Sequence, residues 1–184
     1  MKTVQTKIYQ INELSEEAQE VAMSDWLDNG DIDLDYLLED FKSELANYGF
    51  TSVEIQYSGF WSQGDGASFT GFLDSVENFL AKNRKHALAK KIKNIDEVSM
   101  HVTRHNHNYS HERTVGVCLN DILDSDDSTE LEKYLDAWVE DYSLDMYKRL
   151  QEEYEYETSN ERIIENMEAN YATFTADGKY WVQR

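Results

Sequence analysis

The spacing of apolar positions switches between two and the three-to-four of a helix several times along the chain, and each switch marks an element. Residues 3–11, TVQTKIYQI, set Val4, Thr6, Ile8 and Gln10 against Gln5, Lys7 and Tyr9, which predicts a strand. Ser15 stands as the N-cap of a helix whose apolar face is Leu14, Ala18, Val21, Ala22 and Trp26, with Glu16 and Glu17 where the helix dipole favours acids. Asn29-Gly30 ends that pattern. Leu34, Leu37, Leu38, Phe41 and Leu45 form the stripe of a second helix, closed by Gly49. Val53, Ile55 and Tyr57 return to period two, and SFTGF reads as the partner strand coming back from the turn SQGDGA. A helix is predicted from Ser75 to about Ile92, with Val76, Phe79, Leu80, Ala87 and Leu88 inward and Lys82, Arg84, Lys85, Lys90 and Lys91 outward.

A second hairpin is predicted from about Val98 to Leu119. Val98, Met100 and Val102 lie on one face of its first arm, and Val115, Val117 and Leu119 on one face of its second. From Ser128 to about Glu157 a long helix carries Leu131, Tyr134, Leu135, Trp138, Val139, Tyr142, Met146 and Leu150. Ser159 caps a shorter helix with Ile163, Ile164 and Met167, and Asp177-Gly178 marks a C-terminal hairpin. Helices interspersed with hairpin-paired strands predict an α+β fold. It is a mainly antiparallel sheet built from hairpins, with amphipathic helices packed on it and a long acidic C-terminal helix. At 184 residues this is a single domain, 1–184, with a sheet-and-helix core over 1–120 and acidic helices plus the C-terminal hairpin over 121–184. No Gly-rich phosphate fingerprint follows a strand and opens a helix, which excludes Rossmann and P-loop readings.

Charge changes the picture most. Thirty-seven acids against seventeen bases give a formal net charge of −20, a field that repels nucleic acid and anionic membranes and favours basic partners. Twelve acids and one base lie between Glu13 and Glu44, and seventeen acids and four bases between Asp121 and Glu168. Two readings stand. The acids are the solvated faces and first turns of helices, or they imitate the phosphates of a nucleic acid and occupy a protein's basic groove. On the second reading the contact residues are Asp124, Asp126, Asp127, Glu130, Glu152, Glu153 and Glu155. None of the acidic clusters has the glycine and glutamate spacing of a calcium loop. The single Cys118 excludes an internal disulfide, and its place in TVGVCL predicts a buried thiol. The chain contains no proline, so no Pro-rich linker is expected. The first residues lack the apolar run of a signal peptide and no stretch has the length of a membrane span, so a cytoplasmic protein is expected.

Candidate chemistry concentrates in YSGFWSQGDGASFTGF, residues 57–72, with four glycines and five aromatic residues. Turn chemistry accounts for the glycines but not for Phe60 and Trp61 beside Gln63 and Asp65, which are the candidate contact residues. A loop of this kind also suits a small-ligand or peptide module that donates backbone amides. His101, His105, His107 and His111 are four of the five histidines. His105, His107 and His111 with Asp65 could bind a divalent metal, which makes a metal-dependent enzyme the alternative reading. A polar hairpin tip explains the same histidines, and no HExxH-type spacing is present. A nucleophilic triad from Ser62 or Ser68 lacks the GxSxG elbow.

The stretch YSGFWSQGDGASFTG followed by VTRHNHNYSHERTVGV resembles a group of small phage and prophage proteins that carry a GFWSQGDGASF-like motif and a Tyr/His-rich strand. KIYQINELSEEAQEVA is similar to their N-termini. The resemblance implies a mobile-element origin and marks Gly59, Trp61, Gln63, Gly64, Asp65, Gly66 and Phe69 as motif positions. With the charge it leads to an expectation: a non-enzymatic protein, without cofactor, in the host-cell cytoplasm. It would bind the basic surface of a host nucleic-acid-binding protein, as a nucleic-acid-mimicking inhibitor of a CRISPR or restriction defence.

Overall fold

A computed structural model describes residues 5–30, 32–92, 99–104, 110–120 and 126–181. They divide into two compact units, Leu34–Gln151 and a second made of Met1–Asp33 with Glu152–Arg184. The boundary expected after residue 120 is not where these units divide, because charge composition and chain packing follow different rules.

The Leu34–Gln151 unit is α+β, as the periodicity predicts. Helix α2 (Asp35–Tyr48) ends where Gly49, in the left-handed conformation, donates its N–H to the carbonyls of Ala46 and Leu45. (Helix α1, Glu16–Asn29, belongs to the other unit.) Strand β1 (Phe50–Tyr57) pairs antiparallel with β2 (Ala67–Leu73), and Phe50 lies opposite Leu73 and Tyr57 opposite Ala67. Strands β3 (Ser99–Arg104) and β4 (Val115–Asn120) extend the sheet in the order β1-β2-β3-β4, each neighbour antiparallel. The two expected hairpins are therefore consecutive parts of one sheet, joined through a helical connection. A bulge between Thr51 and Glu54 kinks β1, where Ser52 has φ 51°.

Alternation along the strands sorts the faces. Phe69, Gly71, Leu73, Val102, Val115 and Val117 are buried, whereas Phe72 is 56% exposed. Cys118, expected to be buried, is exposed: its parity is opposite to that of Val115 and Val117. The long helix α5 (Asp126–Glu157) supplies the rings that meet the buried face. Trp138 stacks on Phe50 at 5.7 Å and meets Phe79 edge-on at 4.8 Å, and Tyr142 meets Phe69 edge-on at 5.9 Å. Each fully buried Phe in this cluster contributes roughly 1.5–3 kcal/mol from area alone. Asp136 of α5 accepts a hydrogen bond from the Val117 backbone N–H at 2.9 Å, which occupies one donor on the edge strand β4.

The helix expected from Ser75 to about Ile92 is two helices, α3 (Val76–Lys82) and α4 (His86–Ile92). The break needs no Gly or Pro. Arg84 takes φ 58°, the Lys85 N–H reaches the Leu80 carbonyl at 2.8 Å, and the Asn83 side chain donates to the Phe79 carbonyl. The turn re-aims the second piece, so that Leu88 and Ala89 are buried and Ala87, expected inward, is exposed.

In the other unit, α1 and α6 (Asn160–Ala169) bury Ala18, Ala22, Ile163 and Met167 with Ile11, Leu14, Ala172 and Phe174. Ser15 and Ser159 cap these helices, accepting from the N–H of Ala18 and Arg162. Val21, assigned from spacing to the α1 core face, is 42% exposed, one step outside the Ala18–Ala22 stripe. Of the strand expected over residues 3–11, the described part from residue 5 holds one bridge, Tyr9 to Phe174. Beyond it the chain coils at once into a short 3-10 turn, Ile11–Glu13, held by Glu13 accepting from the Gln10 N–H. The Asp177-Gly178 hairpin is present as a bridge between Phe174 and Tyr180. Among the described residues no helix is long and apolar enough to cross a membrane.

Candidate interaction surface

The β1–β2 connection folds around backbone hydrogen bonds before any side chain is presented outward. At its base the Ser58 N–H donates to the Gly66 carbonyl at 3.0 Å and the Gly66 N–H to Ser58 Oγ at 3.1 Å. Ser58 Oγ in turn donates to the Ser110 carbonyl, on the segment that leads into β4. Gly66 lies so close to that segment that a Cβ there would sit 2.4 Å from the Cβ and 2.6 Å from the Cα of His111. Within the loop, Asp65 Oδ2 accepts from the N–H groups of Trp61 at 2.9 Å and Ser62 at 2.6 Å. Gly64, at φ 98°, provides the left-handed step that a residue with a side chain rarely takes.

This frame fixes Phe60 and Trp61 on different sides. Phe60 is half-buried, stacked between Tyr57 at 5.9 Å and Tyr147 of α5 at 5.8 Å, and the Tyr147 hydroxyl donates to the Gly59 carbonyl. Burial, then the Asp65 carboxylate, pushes the Tyr147 phenol above its ordinary value. Burial, then Asp35, does the same to Tyr57. Trp61 is 73% exposed and Gln63 is also exposed. Trp61 is therefore not a core plug. Asp65, expected to meet a partner, commits one carboxylate oxygen to the loop itself. The amides of Trp61 and Ser62, which an amide-donating loop would offer to a ligand, are the ones it takes up.

The described metal-site candidates, Asp65 and His111, have other partners. His111 Nδ1 accepts from the Arg113 N–H at 3.1 Å and caps a short 3-10 turn, Glu112–Thr114. His105 and His107 lie outside the described residues. Among the described residues no group of three His, Cys, Asp or Glu is placed to hold a metal ion.

The acidic candidates are spread over both units. Asp124 lies outside the described residues, and Asp126 and Asp127 open α5 with side chains that also lie outside them. Glu130 is exposed on the same helix. Glu152 and Glu155 are exposed and Glu153 half-buried, and all three belong to the unit of Met1–Asp33 and Glu152–Arg184. In the Leu34–Gln151 unit, Glu132, Glu140, Asp141 and Asp145 of α5 are exposed as well, none of them singled out by the sequence. Glu44 of α2 is tied down: Arg149 holds its two oxygens at 2.8 and 2.9 Å, and Tyr142 donates to it at 3.0 Å. The Arg149 guanidinium keeps the Glu44 carboxyl below the usual range. Burial and that same carboxylate push the Tyr142 phenol far up. Tyr147, missed by sequence reasoning, joins loop to helix. Its signal was present in the helical spacing Leu144, Tyr147, Lys148, which makes a second, outward stripe on α5.

A family model described as a domain of unknown function, DUF8835, matches residues 34–160. The match starts where the Leu34–Gln151 unit starts and runs past the end of α5. No curated protein and no solved structure matches the chain.

Proposed function

The chain belongs to the DUF8835 family, and from the geometry of the segment that defines this membership we propose a non-enzymatic interaction protein that binds the basic surface of a nucleic-acid-binding protein. The observation that carries the reading is Trp61. An indole left 73% in solvent, on a loop whose backbone is hydrogen-bonded to its own Asp65, serves no purpose in a plain surface turn. It suits an aromatic anchor that loses little entropy on binding. Through the Phe60–Tyr147 stack the loop rests on α5, the helix that carries Glu140, Asp141 and Asp145. Anchor and carboxylates thus share one unit. The net charge of −20 supplies long-range attraction to a basic partner. The resemblance of the loop motif to phage and prophage proteins supports a host defence protein as that partner and the host cytoplasm as the setting.

The test is competition. The immobilised protein captures basic proteins from host lysate at low salt, and each captured protein is assayed for labelled nucleic acid in its presence. The expected result is displacement of the nucleic acid, with affinity falling steeply between about 0.05 and 0.5 M salt. Trp61→Ala abolishes capture while its unfolding transition stays that of the wild type. Capture indifferent to salt, or a captured protein that keeps its nucleic acid, refutes the proposal.

A further inference from the structure

Between α2, α3 and α5 lies a cavity of about 760 Å³, within the size range of small-molecule sites. Glu44, Asn47, Tyr48, Lys82, Trp138, Asp141, Tyr142 and Asp145 line it, all in the Leu34–Gln151 unit. Its charges are unequally occupied. Glu44 is taken up by Arg149 and Tyr142, and the Lys82 ammonium donates to the Asn47 carbonyl. Among the described residues, Asp145 has a long ion pair to Arg149, at 3.7 Å. Asp141 has no ion pair or hydrogen bond among the described residues. Asp141 and Asp145 are four residues apart on α5, so their carboxylates are neighbours on one helix face.

The walls are aromatic, but both faces of Trp138 are already engaged. Trp138 is stacked between Phe50 at 5.7 Å and Tyr142 at 5.2 Å. At Trp138 the cavity therefore has no free face for cation–π attraction, and its charge selection falls to the carboxylates. Two adjacent carboxylates match the planar fork of a guanidinium better than the point charge of an ammonium. The chain already solves this problem beside the cavity. Arg149 lays its guanidinium over the Phe41 ring at 4.4 Å while binding Glu44 through two hydrogen bonds.

We infer that the cavity is an arginine pocket that receives a guanidinium side chain of the protein partner on Asp141 and Asp145. The origin of that arginine rests on the proposed function; the site rests on the cavity. The test uses N-acetyl-arginine methylamide, its lysine counterpart and its citrulline counterpart, the last a neutral near-isostere. Each is titrated into the full chain and read at the Trp138 indole N–H by two-dimensional NMR. The arginine amide is expected to shift that resonance saturably, the lysine amide more weakly and citrulline not at all. Asp141→Asn, at an exposed position, weakens arginine binding about tenfold with the fold unchanged. Equal response to arginine and citrulline, full binding by Asp141→Asn, or binding that leaves Trp138 unmoved overturns the site. Arginine binding together with failure of lysate capture leaves the pocket standing and removes the proposed function. Undiminished capture by Asp141→Asn overturns the assignment of the pocket to the partner's arginine.

Discussion

Replacing Gly66 by alanine tests whether the β1–β2 loop is locked to the second half of the sheet by backbone proximity. The added Cβ would stand 2.4 Å from the His111 Cβ, 2.6 Å from its Cα and 3.2 Å from the Ser110 carbonyl oxygen. Non-bonded carbons prefer about 3.5–4.0 Å, so the overlap exceeds about 1 Å. Overpacking costs roughly 1–3 kcal/mol where neighbours yield. These neighbours are main-chain or fixed to it, so a destabilisation of about 3 kcal/mol is expected. For a chain of this length that lowers the thermal midpoint by about 6–12 °C. Gly64→Ala is the control. Nothing lies within 4 Å of its new Cβ, so only the φ of 98° resists it, at about 1–2 kcal/mol. Adding His111→Gly does not rescue Gly66→Ala, because the backbone of residue 111 still stands in the way of the new methyl group. The assay is urea and thermal unfolding of the three variants. A Gly66→Ala protein within about 0.5 kcal/mol of wild type, or one less destabilised than Gly64→Ala, refutes the packing argument.

The remaining predictions concern α5 and its partners. Ser143 is fully buried with a hydroxyl that has no hydrogen-bond partner among the described residues, so Ser143→Ala is expected to stabilise the chain by about 1 kcal/mol in urea unfolding. Asp136→Ala removes the acceptor of the Val117 N–H, and hydrogen exchange at that amide is expected to accelerate more than at any other buried position of β4. Glu44, whose pKa is depressed, contributes stability that is present above the ordinary glutamate value and lost as pH falls through its lowered folded value. Arg149→Met is expected to flatten that acid limb of the stability–pH curve; an unchanged limb assigns it to other carboxylates.

What was legible in the chain was local. Ser15 and Ser159 announce helix starts because a cap is written within four residues. The turn SQGDGA announces a hairpin because glycine has few other uses there. The aromatic stripe of α5 was legible as a face, but not what opposes it, so Trp138 and Tyr142 read as plain core although they also wall a cavity. The break at Asn83-Arg84 was hidden, because Arg84 adopts a left-handed conformation that an arginine does not advertise. The two hydrogen bonds accepted by Asp65 were legible in principle, since aspartate next to glycine commonly turns its carboxylate onto nearby amides. The pairing of Tyr9 with Phe174 was beyond periodicity altogether, as it joins residues at opposite ends of the chain.

That last feature bears on synthesis. The Leu34–Gln151 unit is continuous and complete once its own residues have left the ribosome. The other unit is not: Leu14, Ala18 and Ala22 bury themselves against Ile163, Met167 and Phe174. Translation proceeds at about 5–20 residues per second, so the roughly 120 residues between its two halves impose a delay of about 6–24 s. For that interval the first helix to be made is the last to be housed. A ribosome that stalls before Glu152 displays a finished sheet preceded by a helix whose apolar face is uncovered, the kind of surface that holding chaperones bind.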